Sequence, residues 1–342
     1  MNFSYEQLRR CTVAVDLGAD RTRVYVREAG LVVDEPSVAA VNTRSGALIA
    51  VGAPAARMTG RTPDHITVLR PVSDGTVSDV QMAQRMLRAM VGDRVRGTWR
   101  RRPMLRAAMC VPHDAEPLAQ RAAVQTLAGL GARRVELVDT LVAAAVGCGL
   151  PVERPEATMI VVCGAECTQV AVLSLGAIVA AEKVPVGGES VSRAVAQHLR
   201  GRYEVALPSA AVRRLMAEAA EGAPDGGTLV VHGRDAASGL ARTAAVDPGE
   251  VRAAVEGPYG TLLDAIRRVL HRCAPDLVAD LADRGVVLAG GSAGLPGLED
   301  GLRRATSMAV HLADDPAGGA VSGLAAMMEG RVRPLRLDPL VR

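Results

Sequence analysis

Two short segments carry residues suited to holding phosphate. One is Asp16-Leu17-Gly18-Ala19-Asp20-Arg21-Thr22, and the other is Val162-Cys163-Gly164-Ala165-Glu166-Cys167-Thr168. A glycine turn exposes successive backbone N–H groups with no side chain in the way, and such a turn can cradle phosphate oxygens. Asp16, at the end of the strand that enters the first turn, is placed to hold Mg²⁺ through water. Two such turns on two domains would grip a polyphosphate from both sides. Taken singly, each also reads as an ordinary tight hairpin turn.

The flanking residues say what holds these turns. Residues 12–18 and 22–26 alternate apolar and polar side chains, which predicts a β-hairpin with its tip at Leu17–Arg21. Residues 159–175 repeat the pattern of strand, glycine turn and strand. At an offset of 146 residues, Gly18, Ala19 and Thr22 meet Gly164, Ala165 and Thr168, Asp20 meets Glu166, and Val24 and Val26 meet Val170 and Val172. Duplication at half-chain distance is what two related domains facing a common cleft produce. Short strands are expected within 31–52 and 66–72, at 107–112 and at 135–138. Apolar residues at helical spacing predict helices over 79–92 and 114–130, and 140–148 reads as an Ala-rich buried helix. Strands and helices alternate, so the class is α/β.

With 342 residues, 49% of them hydrophobic, the chain is long enough for two domains and can bury a sizeable core. Only six residues are aromatic, which argues against a stacked-ring platform for carbohydrate or nucleic acid. The net charge of +3 excludes a strongly basic polyanion binder. Lys183 is the sole lysine, and no GxxxxGK[ST] occurs, so a Walker-type P-loop is ruled out. Cys11, Cys110, Cys148, Cys163, Cys167 and Cys273 form no CxxC pair and read as small buried apolar residues. The opening MNFSYEQLRR has no apolar core, so no signal peptide is expected. No clean run of about 18 apolar residues suggests a spanning helix. A cytoplasmic location is expected.

The chain resembles the MreB/Mbl family of bacterial actin homologues over nearly its whole length. The resemblance is carried by DLGADRTRVYV (16–26), EPSVAAV (35–41) and AVGAPAARMTGRTPDHITVLRPVSDGTVSD (50–79). It continues through CVP (110–112), AAAVGCGLPV (143–152), QVAVLSLG (169–176), VPVGGE (184–189) and RGVVLAGGSAGLPGL (284–298). GRTP followed by RPxxDGxxxD is a distinctive pairing for this family. The resemblance implies an actin-like fold, a duplicated ribonuclease-H-like architecture with two lobes around a nucleotide cleft. The expected division is a first lobe over 1–142, with 321–342 returning to it, and a second over 143–320, with a small subdomain at about 183–245. It further implies ATP and Mg²⁺ as ligands, and filaments on the cytoplasmic membrane that organise wall synthesis.

Several positions depart from the family pattern. In the first phosphate loop Asp16, Gly18 and Thr22 match, while an Asn-like donor becomes Arg21, which could still meet a phosphate. In the second, the family's Asp-Ile-Gly-Gly-Gly-Thr-Thr-Glu is Val162-Cys163-Gly164-Ala165-Glu166-Cys167-Thr168-Gln169. The acidic first residue is lost, two glycines are lost, and Glu166 adds a repulsive charge beside the phosphates. The family's water-polarising Glu-Glu-Pro is Asp139-Thr140-Leu141, one carbon shorter at the carboxylate. In the adenosine-contacting helix, Arg213 and Met216 replace Glu and Lys, while Glu218 is retained. Gly290-Gly291-Ser292 matches the adenine turn, and Gly187-Gly188 is present. The losses fall on the phosphate and catalytic loops, so ATP binding is expected to be weak, and hydrolysis weak or absent.

Residues 93–106, DRVRGTWRRRPMLR, form a basic stretch around the only Trp, read as a loop. Near an anionic leaflet each Arg contributes about 1 kcal/mol, and an indole suits the interface. Trp99, Arg100, Arg101 and Arg102 are therefore candidate membrane residues; a solvated loop over a packed Trp99 is the other reading. In the family this loop inserts into membrane. At the N-terminus Ser4-x-x-Gln7 fits a capping box, with Phe3 and Leu8 as its hydrophobic staple, predicting a helix at 5–10. Phe3 joins the membrane set, and nucleic acid is not an expected partner. The expected function is a membrane-associated cytoskeletal protein, peripheral at the inner face of the cytoplasmic membrane, whose partners are itself or a homologous MreB, anionic lipid and the wall-synthesis machinery. Two alternatives stand beside it. One is a non-polymerising adaptor or pseudo-ATPase partner of a competent MreB. The other is an ATPase or kinase of the same superfold.

Overall fold

The computed structural model describes residues 5–101, 106–221 and 227–333. Val13–Leu17 and Arg21–Val26 pair antiparallel from Val13↔Val26 to Leu17↔Thr22, leaving residues 18–20 as the tip. Gly30–Pro36 extends this meander, while Arg106–Val111 and then Arg134–Asp139 add parallel on its other edge. The second sheet has the same plan. Thr158–Cys163, Thr168–Ser174 and Ala177–Val184 form the meander, and Val286–Ala289 and Val310–Leu312 add in parallel. The repeated topology gives the sequence duplication a structural counterpart.

Strand periodicity sorts the side chains onto two faces. Val13, Val15 and Leu17 point to one face of the first sheet, against Met86, Leu87 and Leu127 from the helical segments that cover it. Ala14 lies on the opposite face, in one core with Leu141, Ala144, Leu324 and Met327. That core also takes Ile160, Ala171 and Leu173 from the second sheet. Two helices of small residues, Thr140–Gly147 and Gly319–Glu329, are thus packed between the two sheets. Their small side chains let the backbones approach closely. This pair of helices is the joint between the lobes.

Each lobe carries a smaller sheet. Ala39–Asn42 sits between Leu48–Val51 and Ile66–Leu69 in the first. In the second, Leu229–Asp235 lies between Val205–Ala206 and Ala241–Val246, with the helix Ser209–Glu221 packed on it.

Two local expectations are corrected. Residues 93–101 are helical in backbone, not a loop: Val80–Arg101 is a helix broken at Gly92, where φ is 44° and ψ is −136°. Arg is a good helix former and no Pro lies between Gly92 and Pro103, so the chain resumes its helix after the glycine break. The first helix is Tyr5–Leu8, two residues shorter than expected at its end. Phe3, Ser4 and Arg102 lie outside the described residues, as do the side chains of Trp99, Arg100 and Arg101. No helix among the described residues is long and apolar enough to cross a membrane.

Candidate functional site

Both glycine turns open onto one cleft of about 250 Å³ between the lobes. The turns are built alike. Gly18 N–H donates to Arg21 O at 3.0 Å, and Gly164 N–H donates to Cys167 O at 2.9 Å. These bonds close each tip and leave the N–H groups of Ala19, Asp20, Ala165 and Glu166 without a partner among the described residues. Unpaired N–H groups on a turn at a cleft wall are suited to an anion. A third turn, Gly290-Gly291-Ser292, lines the cleft from the second lobe. Gly290 has φ of 91°, and a Cβ there would lie 2.2 Å from Cys163 O, so only glycine fits.

Some predicted residues brace the turns instead of lining the cleft. Thr22 is fully buried and its Oγ1 meets Ser37 Oγ at 2.8 Å, while Ser37 also donates to Gly18 O. Thr168 Oγ1 donates to Val186 O at 2.6 Å. Gly188 and Glu189 N–H groups donate to Gly164 O and Ala165 O, so the Gly187–Gly188 turn backs the second phosphate turn. A Cβ at Gly187 would stand 2.5 Å from Ala165 O, which explains the glycine. The adenosine-helix candidates do not line the cleft. Met216, 3% exposed, is in the core of the small subdomain, and Arg213 and Glu218 lie on the exposed face of the same helix.

The charged candidates are already engaged. Arg21 lines the cleft, but its Nε donates to Asp34 Oδ1 at 2.8 Å and its Nη2 to Asp34 O. Asp20 faces Arg70 at 3.4 Å, and Arg70 also donates to Ala19 O. Glu166 reaches across the cleft. Its carboxylate accepts from Ser73 Oγ at 3.2 Å and from the Asp74 N–H, both on a hairpin of the first lobe. Lys183, on the second lobe, ties back to Asp74 at 2.8 Å. Gly75 at the hairpin tip has φ of 74°, which favours glycine, and a Cβ there would press on Pro112 Cγ at 3.1 Å.

Asp139 does not line the cleft. It caps the helix Thr140–Gly147 by accepting from Leu141 N–H at 2.8 Å, and its other oxygen meets His113 Nδ1 at 2.6 Å. Thr140, next in the chain, does line the cleft. The Asp139 hydrogen bond raises the pKa of His113, against the opposing pull of burial. A raised folded-state pKa adds stability that is fully present below the unfolded value of ~6.5 and is lost as pH rises through the folded value. His113→Gln is therefore expected to destabilise the protein near pH 6 and to approach wild type as pH rises above that window. Urea melts at a series of pH values measure this; a pH-independent difference would contradict it.

Asp16 lies in the cleft wall with 19% of its side chain exposed. Burial pushes its carboxyl up to about 6, with Arg23 pulling the other way. Arg23 was not among the sequence candidates, although the hairpin register places it directly opposite Asp16. Counting outward from the tip would have found it. His113, the Ser73–Asp74 hairpin and Gln169, which lines the cleft and accepts from His113 N–H at 2.9 Å, were also missed, because their places depend on contacts between distant segments. Among the described residues, no three His, Cys, Asp or Glu side chains come together as a metal site.

Comparison with known proteins agrees with this architecture. A family model described as MreB/Mbl protein matches residues 10–335. The cell shape-determining protein MreB of Escherichia coli strain K12 is 34% identical over 310 residues, covering 89% of each chain. The cell shape-determining protein Mbl of Bacillus subtilis strain 168 is 31% identical over 320 residues, 93% of this chain and 95% of that one. The crystal structure of MreB 5 of Spiroplasma citri bound to AMPPNP matches with a TM-score of 0.86 at 23% identity, covering 93% of this chain and 96% of that one. A MamK double helical filament matches with a TM-score of 0.73 at 18% identity, over 94% and 99%. These last two likenesses bear on the fold alone.

Proposed function

The chain belongs to the MreB/Mbl family of actin-like, filament-forming cytoskeletal proteins, and from that premise we propose how this member works. It joins filaments, with itself or with a homologous MreB, on the inner face of the cytoplasmic membrane. There the filaments organise wall synthesis and cell shape. A nucleotide such as ATP binds weakly in the cleft and is hydrolysed slowly or not at all. The supporting observation is that both glycine turns present unpaired N–H groups to one cleft, while the nearby carboxylates Asp139 and Glu166 are committed to protein contacts. The Glu166 contact across the cleft also favours a second reading. A lobe arrangement held by the protein itself suits a partner that copolymerises with a competent homologue without a nucleotide cycle of its own.

Sedimentation tests the reading. The protein is expected to pellet equally with ATP and with a non-hydrolysable analogue, alone or mixed with a competent MreB. Failure to pellet in every mixture would overturn it. Membrane contact rests on the basic segment 93–106 and on Phe3. Binding to anionic vesicles is expected to fall strongly when salt shortens the Debye length, while Trp99→Ala weakens binding at every salt concentration. Equal binding to neutral and anionic vesicles would remove the electrostatic part.

A further inference from the structure

The donor set around Asp16 does not fit a divalent cation. Magnesium demands near-octahedral oxygen ligands and is usually held by one or two carboxylates together with the phosphates it bridges. Here the position facing Asp16 is taken by a cation of the protein. Arg23 stands opposite Asp16 in the hairpin register, so both side chains leave the same face of the sheet. Both line the cleft. Arg23 is 8% exposed, its Nη1 is 3.8 Å from Asp16 Oδ2, and its Nε is 3.3 Å from Asp34 Oδ1. A guanidinium has five N–H donors and no acceptor, so it cannot ligate a metal and repels one placed beside it.

No other carboxylate at the cleft makes up the loss. Asp20 faces Arg70 and Glu166 is held by the Ser73–Asp74 hairpin, while Asp139, outside the cleft lining, caps its helix. The same fixed cation suits a phosphate. Its ion pairs lie at 3.3 and 3.8 Å and its guanidinium makes no hydrogen bond among the described residues, so N–H donors remain for a phosphate. The adjoining turn supplies the unpaired N–H groups of Ala19 and Asp20.

We infer that Arg23 takes the place of the divalent cation, so that this cleft binds the polyphosphate tail of its nucleotide without Mg²⁺. The inference rests on the nucleotide reading above and adds to it the charge that neutralises the phosphates. Arg23 acts here as a binding residue, and no chemical step is assigned to it.

Equilibrium binding of ADP and of ATP, in excess Mg²⁺ and in excess EDTA, tests it on the whole chain. Wild-type affinity is expected to agree within about twofold between the two conditions. Arg23→Met, checked for an intact thermal transition, is expected to lose at least about tenfold in EDTA and to recover part of that with Mg²⁺. Arg23→Lys keeps the charge and is expected to stay metal-independent while binding more weakly, since lysine lacks the planar fork. A readout that needs neither variant is the Mn²⁺ resonance spectrum. With wild type, Mn²⁺ beyond what free nucleotide binds should stay in solution, with no protein-bound signal. Nucleotide binding that falls about tenfold or more in EDTA would overturn the inference and leave the nucleotide reading standing. Absence of binding under both conditions would remove both.

Discussion

Gly323→Ala is expected to destabilise the protein by at least ~3 kcal/mol, at the upper end of what overpacking does. A Cβ at Gly323 would lie 1.8 Å from Ala143 O and 2.6 Å from Gly147 N. The opposing Gly147 is equally tight, its Cβ falling 1.8 Å from Gly319 O. In both cases the obstacle is backbone of the other helix, which cannot swing aside as a side chain would. The helices must move apart, and they form the joint between the two sheets. Gly301 provides the control. It lies within the helix Leu298–Thr306, and a Cβ there meets nothing within 4 Å. Gly301→Ala should be neutral or stabilising by up to ~1 kcal/mol. Denaturant melts of the two variants compare them directly. A Gly323→Ala protein within about 1 kcal/mol of wild type would show that these helices do not pack backbone to backbone.

Replacing Glu166 by glutamine is expected to raise nucleotide affinity by roughly tenfold or more. Its carboxylate belongs to the second glycine turn and lines the cleft. A unit charge about 5 Å from a phosphate charge is repelled by about 3 kcal/mol at an effective dielectric of 20, and solvent screening reduces that at a partly exposed site. Glutamine separates two effects. Its carbonyl oxygen can still accept from Ser73 Oγ and the Asp74 N–H, so the contact across the cleft survives while the charge is gone. Glu166→Gly removes both. If charge dominates, the two variants gain affinity alike; if the clasp itself excludes ligand, only the glycine variant gains. Calorimetric titration with ADP distinguishes them. Unchanged affinity in both variants would mean that Glu166 does not oppose the nucleotide.

The alternation in 12–26 and 159–175, and the offset between them, are local patterns, and they were sufficient to predict both hairpins and the two-lobed architecture. Even the Asp16–Arg23 pairing was legible there, since a hairpin's register follows from its tip. Tertiary structure alone decided what each polar side chain does once the segments meet. Asp139 stands, by the family resemblance, where a water-polarising carboxylate is expected; that it also caps a helix and holds His113, 26 positions away, appears only in the fold. Glu166 finds its partners on a hairpin of the other lobe, 92 and 93 positions earlier. Met216 sits in the core because its helix packs on the small sheet through that face. Backbone periodicity and turn geometry are set by neighbours in the chain. The partner of a charge is set by which distant backbone and side chains the packed fold brings within hydrogen-bond reach, and no spacing in the sequence encodes that distance.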